Sequence, residues 1–287
     1  MIRVLVTGAT GTVGAHVVRC LRERGAHVRA FVRDPQRAAD RLGGDVEGAV
    51  GDFADPVSLR RAMHGIDRVF LTSADGPDKV THETAVVDAA TDSWVQRIVK
   101  LSAIAAETDS PIPFSVAHAH IERALRAGLI PWVILRSGFF MSNLFASAET
   151  IRQTGQIFAP AGDAKIAMID PRDVAAAAAA TLLDDGHDGQ THVLTGPEPI
   201  TYADVAADLS AVIGRPIVFV DVPDSAARAA MLESGAPSWF ADALVTLFAE
   251  LRRGIAAQPT DAVRALTGRE PRRFGEFARN HRTLFHG

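Results

Sequence analysis

Three glycines at three-residue spacing form the first motif of the chain that could do chemistry. Gly8, Gly11 and Gly14 lie in the segment GATGTVG, after the hydrophobic run 2–8 and at the start of an amphipathic stretch. Glycine permits a tight turn and lets the backbone approach a diphosphate, while the following helix offers free N–H groups and its positive dipole end. The pattern predicts a dinucleotide site formed by Gly8, Thr10, Gly11, Thr12, Val13 and Gly14. The alternative is a glycine turn that only packs a helix against a sheet.

The end of the second predicted strand indicates which dinucleotide binds. In such sites an acidic side chain here accepts from the 2′-hydroxyl of NAD, and a basic one favours the 2′-phosphate of NADP. The chain reads FVRDP, so Arg33 comes first and Asp34 follows. We expect NADP(H) to be favoured over NAD(H), with Arg37 as a second phosphate contact or a surface residue. The alternative is that Arg33 is a solvated loop charge and Asp34 reads the ribose.

Two further strand ends supply candidate cofactor contacts. Asp52 and Phe53 follow the third strand, where the carboxylate could accept from the adenine amine and the ring could pack on the base. Leu71, Thr72 and Ser73, after the fourth strand, are expected to border the nicotinamide ribose. All these positions belong to the carboxyl edge of a parallel sheet, where such folds bind ligands.

Alternating hydrophobic runs and helical patterns position these residues. Strands are predicted at 2–8, 27–33, 46–53, 68–73, 97–103 and 131–136. Helical patterns between them are typical of right-handed crossovers and of a parallel sheet covered on both faces. The predicted fold is therefore α/β, a Rossmann-type doubly wound parallel sheet with a smaller C-terminal substrate lobe.

The later part of the chain does not continue this regular alternation of strands and helices. KIAMIDPRDVAAAAAATLL reads as a short strand before an alanine-rich helix, and helices and loops dominate from about residue 224, after strands at 191–196 and 217–223. Thr201 is the expected N-cap of a further helix. The dinucleotide-binding core is expected to comprise 1–135 and 166–196, and the lobe 136–165 and 197–287.

Composition excludes several classes of function. The chain has 287 residues, of which 47% are hydrophobic and 22% charged, with a net charge of -4 and one cysteine, Cys20. A single cysteine excludes an internal disulfide and a cysteine-rich metal cluster, and no metal site is expected. The charge gives no basic footprint for nucleic acid, and no apolar run reaches the roughly 18 residues of a membrane helix. Since no signal peptide is expected, we predict a cytoplasmic monomer or homodimer without a nucleic-acid or membrane partner.

Motifs along nearly the whole chain resemble those of one family. GATGTVG, VRDP, GDF, VKLSA, HxxxE, LRSGFFMSN, IDPRDVA and LTGPEPIT occur in the order seen in NmrA-like proteins, which are atypical short-chain dehydrogenases/reductases. The C-terminal TGREPRRFGEFARNH is similar to the tail of the NADPH:quinone reductase type in that group. The resemblance implies an NADP(H)-dependent oxidoreductase.

One part of the superfamily's usual site is missing. Typical members carry a tyrosine and, four residues later, a lysine, and the phenol moves the carbonyl proton. The only tyrosine here, Tyr202, is followed by Ala206 at that spacing, so the pair does not occur. In typical members this pair follows a serine of the site. Counted from Ser102, the two positions are occupied by Phe114 and His118.

His118 is the candidate proton donor, and Ser102 and Glu122 complete the predicted catalytic set. An unperturbed imidazole has a pKa near 6.5. Glu122 lies one helical turn along on the same face, close enough to orient or charge the ring. The alternative for this pair is a structural hydrogen bond. His120 lies on another face, and its spacing from His118 does not suit a helical metal site.

The missing phenol limits the reaction. Reduction of an ordinary ketone gives an alkoxide that needs a proton or an oxyanion hole in the transition state. Hydride addition to a quinone or a conjugated enone gives a delocalised anion, which water, Ser102 or His118 could protonate. The prediction is hydride transfer from NADPH to such a compound, in bacterial specialised metabolism. The alternatives are a non-catalytic NADP(H)-binding redox sensor that regulates a partner protein, and an ether or imine reductase that depends on His118.

Aromatic residues of the later chain are candidates for the substrate site. A flat apolar ligand suits an aromatic cleft with a few polar groups. The expected contacts with a small aromatic or quinone-like substrate are Phe114, Phe139, Phe140, Met141, Asn143 and Trp239. For each hydrophobic member the alternative is a place in the core of the lobe.

Overall fold

Seven parallel strands form the central sheet in the computed structural model, which describes residues 1–286. In chain order the strands of residues 1–286, seven in this sheet and two (β7 and β9) in a separate sheet, are β1 Arg3–Val6, β2 His27–Val32, β3 Glu47–Val50, β4 Arg68–Leu71, β5 Arg97–Ala103, β6 Trp132–Ser137, β7 Gln156–Ala159, β8 Gln190–Leu194 and β9 Val218–Asp221. The sheet order is β3-β2-β1-β4-β5-β6-β8, and every pairing within it is parallel. The predicted Rossmann-type sheet is confirmed. The strand order reverses between β1 and β4, beside the glycine turn.

Helices cover both faces of this sheet. In chain order they are α1 Gly14–Glu23, α2 Pro35–Leu42, α3 Pro56–Met63, α4 Lys79–Asp92, α5 Pro113–Ala127, α6 Ala148–Thr154, α7 Pro171–Leu183, α8 Tyr202–Ile213, α9 Asp224–Glu233, α10 Ser238–Arg252, α11 Ala262–Thr267, α12 Phe274–Asn280 and α13 Arg282–Phe285. A 3-10 helix spans Met141–Ser147. None of the helices among residues 1–286 is long and apolar enough to cross a membrane.

Strand β5 shows how side chains are divided between the two faces. Val99 and Leu101 enter the hydrophobic cluster formed with α1 and α7, while Ile98 enters the cluster formed with α3, α4 and α5. Because side chains alternate along a strand, Lys100 and Ser102 share the face of Ile98. Both side chains therefore point toward α4 and α5, at the end of the strand where the site is expected.

A second unit packs against the carboxyl edge of the sheet around its own hydrophobic cluster. The 3-10 helix, α6, α8, α10, α12 and α13 enclose this cluster, and β7 and β9 form a separate two-stranded parallel sheet within it. Thr201 caps α8 as predicted: its hydroxyl accepts from the N–H of Asp204, whose carboxylate accepts from the N–H of Thr201. This unit is the observed counterpart of the predicted lobe.

The structure differs from the sequence-based elements in three places. Residues 165–170 form no strand, since Ile166 and Ile169 make only isolated bridges. Strand β7 was not predicted. Within the range 197–287, α11 packs on the sheet core instead of the lobe, because Val263 lies in the cluster of α1 and α7.

Two aspartates of the IDPRD segment fix the start of α7. Asp170 caps the helix through the N–H of Arg172 and pairs with its guanidinium. Asp173 is buried and accepts from the backbone N–H of Arg272 at 2.7 Å, while the two side chains also form an ion pair. Asp173 thus ties the sheet core to the C-terminal segment.

Candidate active site

The glycine turn has the geometry that a diphosphate requires. Gly8 has a φ of +57°, and a Cβ added at Gly14 would lie 2.1 Å from the carbonyl oxygen of Gly8. The helix start carries no side-chain cap and no acidic residue in its first turn. Among residues 1–286, none accepts a hydrogen bond from the N–H groups of Thr12, Val13 and Gly14. These free donors and the positive end of α1 fit an anionic group.

The six residues predicted for this turn contribute in different ways. The side chain of Val13 is buried in the core, so only its backbone faces the turn. Thr12 is exposed, and Thr10 lines a cleft beside the end of β2. The structure therefore offers backbone donors from the turn and a hydroxyl from Thr10.

The cleft beside Thr10 is bounded by the basic residues predicted to recognise the cofactor. It has a volume of about 370 Å³, and its other walls are Val32, Arg33, Asp34 and Arg37. Oδ1 of Asp34 accepts from the backbone N–H of Gln36 at 2.9 Å and of Arg37 at 3.1 Å, so this carboxylate caps α2. Arg33 and Arg37 are exposed, and the structure gives neither side chain an ion-pair partner among the described residues. Two free guanidinium groups therefore border the cleft.

Residues after β3 have partners within the protein. Oδ1 of Asp52 accepts from the N–H of Ala54 at 2.9 Å. The ring of Phe53 stacks on His82 at 5.6 Å between centroids and meets the edge of Phe31. One face of Phe53 is thus covered by His82, which the predicted contact with adenine did not include.

The end of β4 lies beside the glycine turn. Leu71 is the last residue of β4, and its side chain is fully buried in the core, so a contact with a ribose would be made by its backbone. Thr72 is close to Gly8: a Cβ added at Gly8 would lie 2.8 Å from Cγ2 of Thr72. Ser73 donates through its N–H and its hydroxyl to Oε1 of Glu83, at 3.1 and 2.9 Å.

Glu122 pairs with arginines and with Ser102, and its predicted pairing with His118 is therefore wrong. Oγ of Ser102 donates to Oε1 of Glu122 at 2.6 Å, and Arg136 binds both carboxylate oxygens at 2.9 and 2.8 Å. Arg126 adds an ion pair at 2.9 Å. Glu122 has no exposed surface. It ties α5 to β5 and β6, which is the structural alternative for this residue.

His118 instead pairs with a buried lysine. Nζ of Lys100 lies 3.1 Å from Nδ1 of His118 and 2.8 Å from Oε2 of Glu83, and it also donates to the carbonyl of Leu101. Lys79 pairs with Oε1 of the same Glu83 at 3.0 Å. Two cations of β5 and α4 therefore share one enclosed carboxylate next to the imidazole.

Burial and these charges set the protonation of the cluster. Burial, reinforced by the cations of Lys100 and Lys79, holds the pKa of His118 well below its usual range, so the ring is neutral at pH 7. Burial lowers the pKa of Lys100 to about 8, against the opposing effect of Glu83. The two lysines lower the pKa of Glu83 in spite of its burial. A neutral imidazole can donate a hydrogen bond to a ligand from one nitrogen only.

Sequence reasoning missed Lys79, Glu83 and Lys100 as parts of this site. One signal was available, which is the rarity of lysine. Of the 30 lysine and arginine residues in the chain, only three are lysines: Lys79, Lys100 and Lys165. Lys100 also interrupts the apolar run of RIVKLSA, in a strand that is otherwise read as buried. A lysine in such a strand needs a specific partner, because an unpaired buried charge is costly.

Aromatic side chains of the two units meet at the start of α5. Phe114 contacts Trp239 and Phe240 edge to face, with ring centroids 6.3 and 5.9 Å apart. Trp239 remains 40% exposed. His118 lies one helical turn after Phe114 on the same face of α5. The cluster of Phe114, Trp239 and Phe240, hereafter the aromatic wall, thus borders the imidazole.

The other predicted substrate contacts are divided by burial. Phe139 packs on Phe248, and both Phe139 and Met141 are buried in the core of the lobe, which is the alternative stated for each of them. Phe140 is partly buried against the sheet core. Asn143 is exposed in the 3-10 helix.

The only tyrosine of the chain is part of the lobe. Tyr202 is buried between Phe219 and Phe248, and burial raises the pKa of its phenol. It therefore belongs to the hydrophobic cluster of the lobe, whereas Ser102 and His118 belong to β5 and α5. Of the predicted catalytic side chains, His118 lies one helical turn from Phe114 of the aromatic wall, and the hydroxyl of Ser102 already donates to Glu122.

Comparison with known proteins gives a family and relatives that are named reductases. The chain matches the NmrA-like family over residues 2–278. It is 38% identical over 283 residues to (4-alkanoyl-5-oxo-2,5-dihydrofuran-3-yl)methyl phosphate reductase of Streptomyces griseus, covering 98% of this chain and 99% of the relative. It is 36% identical over 282 residues to the NAD(P)H azoreductase of Xenophilus azovorans, with the same coverage of 98% and 99%.

The fold of the chain is also similar to that of a solved reductase structure. The NADPH-dependent quinone oxidoreductase of Escherichia coli, crystallised with NADPH, superposes with a TM-score of 0.88 at 26% sequence identity. The superposition covers 96% of this chain and 99% of that protein. The lobe is therefore included in the similarity along with the sheet.

Proposed function

Because the chain belongs to the NmrA-like family, we propose that it is an NADPH-dependent reductase that transfers a hydride to a quinone or another conjugated carbonyl compound. That it is an NAD(P)H-dependent oxidoreductase follows from its similarity over nearly the whole chain to an NAD(P)H azoreductase and to a second reductase. The side chains of the site support the choice of acceptor.

The glycine turn and the cleft at β2 fit the two charged groups of NADPH. A Cβ at Gly14 would fill the turn, and the free N–H groups of α1 suit the diphosphate. Arg33 and Arg37 would hold the 2′-phosphate, while Asp34 is engaged in capping α2. Bound NADPH supplies the hydride. Guanidinium groups suit phosphate because they present several donors in a planar fork.

The absence of a phenol beside Ser102 carries the proposal for the acceptor. With Tyr202 in the lobe core, the candidate proton donor is the neutral His118, which lies one helical turn from Phe114 of the aromatic wall. A neutral imidazole is a weak acid, so this site best suits an acceptor whose reduction gives a delocalised anion, to which the ring can donate a hydrogen bond. The aromatic wall would hold a flat ring in place.

The names of the relatives describe acceptors of this kind. An azo compound, a quinone and an unsaturated lactone with a ketone substituent all spread the added negative charge over several atoms. The proposal extends this shared property to the present chain. A role in bacterial specialised metabolism is proposed in the same terms, because the lactone reductase is a relative from Streptomyces.

The test is NADPH oxidation with four acceptors: 2-methyl-1,4-naphthoquinone, an azo dye, an unsaturated lactone bearing a ketone, and cyclohexanone. We expect turnover of at least one conjugated acceptor at about 100-fold or more the rate with cyclohexanone, which corresponds to about 3 kcal/mol in the barrier. Comparable rates with cyclohexanone would overturn the choice of acceptor. NADPH binding without turnover of any acceptor would favour the non-catalytic sensor instead.

A further inference from the structure

We propose that Lys100 is a positioning residue that holds the proton of His118 on Nε2, and that Glu83 and Lys79 set the charge of Lys100. This inference depends on the proposed function for its catalytic consequence. The arrangement of the four side chains can be tested without any turnover.

The ammonium group of Lys100 forms an ion pair with Glu83 and hydrogen bonds with His118 and the carbonyl of Leu101. An ammonium group has three donors and no acceptor. Nζ meets Oε2 of Glu83 at 2.8 Å, Nδ1 of His118 at 3.1 Å and the carbonyl of Leu101. A charged Lys100 can therefore only donate to Nδ1, which must carry a lone pair. The proton of the neutral ring is then on Nε2.

Nε2 is the nitrogen available to a ligand. No residue among 1–286 forms a hydrogen bond with Nε2. Since Nε2 is also not among the fully enclosed atoms that lack a partner, it keeps some accessible surface. Phe114, one turn earlier on the same face of α5, contacts Trp239. A substrate against the aromatic wall would thus meet an N–H group. With the other tautomer it would meet a lone pair, which repels a developing anion.

Glu83 and Lys79 act on Lys100 in opposite directions. Glu83 is fully buried on α4, and its carboxylate favours the charged form of Lys100. Lys79, on the same helix, disfavours it, and reaches the surface through Asp75 at 3.4 Å. From α5, His118 faces the ammonium directly and Glu122 adds a weaker favourable charge. Burial leaves the pKa of Lys100 at about 8, so the charge is lost just above neutral pH.

Protons balance over a catalytic cycle. The Nε2–H bond breaks as the proton joins an oxygen or carbon of the reduced substrate, and Lys100 gives a proton to Nδ1 in the same step. The ring stays neutral and Lys100 becomes an uncharged amine. Solvent then returns a proton to Nε2 while Nδ1 gives its proton back to Lys100. The net change is one proton from solvent to product, with no oxidation of a protein group.

The tautomer is measured by long-range 1H–15N NMR on protein labelled with 15N-histidine, in which His118→Gln identifies the His118 signals. At about pH 7 we expect a protonated Nε2 and a bare Nδ1, and a mixture of tautomers in Lys100→Met, since a neutral ring without a charged partner exchanges between them. Lys165→Met is the matched control, because Lys165 is exposed in the lobe. An unchanged tautomer in Lys100→Met would overturn the inference even if the enzyme reduces quinones.

The kinetic arm uses kcat as a function of pH at saturating NADPH. In the wild type kcat should fall as pH rises through about 8, where Lys100 loses its charge. Glu83→Gln should move this fall to lower pH and Lys79→Met should move it to higher pH, because one removes a favourable charge and the other an unfavourable one. In Lys100→Met the fall should vanish and kcat should be about tenfold or more lower.

Opposite shifts separate this role from a purely structural one, which would lower activity equally at all pH values. If Glu83→Gln does not fold, Lys79→Met still tests the direction. Shifts of the same sign, or none in Lys79→Met, would contradict the inference. Failure of the proposed function would look different: the NMR result for His118 would hold while no conjugated acceptor is turned over.

Discussion

Oγ of Ser102 donates a hydrogen bond of 2.6 Å to Oε1 of Glu122, which has no exposed surface. The carboxylate also binds Arg136 through both oxygens. Ser102 thus presents lone pairs, and not its proton, to a ligand in this arrangement. The hydroxyl proton of Ser102 is instead used to hold β5 against α5.

Glu122→Gln should lower the free energy of unfolding by about 3 kcal/mol, because the charge of Arg136 would lose its buried partner. Urea denaturation measures this loss. Glu107→Gln is the control: it removes the exposed partner of the same Arg136, and an exposed ion pair contributes about 1 kcal/mol or less. Equal losses in the two variants, or a stable Glu122→Gln with reduced kcat alone, would restore a catalytic role to Glu122.

Arg33→Ala should weaken NADPH binding by about 10-fold to 100-fold and leave NADH within about twofold, since a charged hydrogen bond to phosphate contributes about 1.5–3 kcal/mol. Titration calorimetry with both nucleotides gives the two Kd values. Arg60→Ala, at an exposed position of α3, should change neither. An equal loss for both nucleotides would reject the role of Arg33 at the 2′-phosphate.

Gly14→Ala should abolish nucleotide binding and lower Tm, because the added Cβ would lie 2.1 Å from a backbone oxygen of the turn. Thermal unfolding and nucleotide titration measure the two effects. Gly44→Ala is the control, since a Cβ there meets nothing within 4 Å. Unchanged binding in Gly14→Ala would mean that the turn only packs α1 against the sheet.

Trp239→Ala should raise KM for an aromatic acceptor by about tenfold, the loss of roughly 1.4 kcal/mol of stacking and burial, without changing Kd for NADPH. Steady-state kinetics with the best acceptor of the panel tests this. Trp94→Ala serves for comparison, because Trp94 is 90% exposed after α4. A KM that stays constant in Trp239→Ala would remove the aromatic wall from the substrate site.

As pH increases above about 8, the free energy of unfolding should rise more steeply in the wild type than in Lys100→Met. Burial lowers the pKa of Lys100 from 10.5 to about 8. Between these values the unfolded chain holds a proton at this residue that the folded protein has released, so the free energy of unfolding increases with pH, by a total of about 3 kcal/mol. Urea denaturation at several pH values shows the difference between the two proteins, and parallel curves would contradict it.

Local patterns were sufficient for the sheet and the glycine turn. The run before Gly8 and the spacing of Gly8, Gly11 and Gly14 lie within one short segment, and the alternation of strands and helices predicts the parallel sheet. Strand β7 was missed because its only partner strand within residues 1–286, β9, lies about sixty residues later in the chain. Its partner cannot be found from local periodicity.

The side-chain partners of the site were less predictable. The i, i+4 spacing of His118 and Glu122 correctly places them on one helix face, but it does not say which strand residues they meet. Lys100 and Ser102 lie two positions apart on β5, and each reaches a different one of the two α5 residues. Such pairings depend on the position of α5 along β5, which is determined by tertiary packing and not by local sequence.

The placement of α11 on the sheet core has a consequence for dissecting the protein. The polypeptide runs from core to lobe after β6, returns for α7 and β8, leaves again for α8 to α10, comes back for α11 and ends in the lobe. Neither unit is formed by one continuous segment of the chain. Expression of one unit without the other would therefore expose hydrophobic surface that is buried in the whole protein. Swapping substrate preference between relatives by exchanging a single block of sequence is accordingly a poor strategy, and grafting side chains of the aromatic wall is the better one.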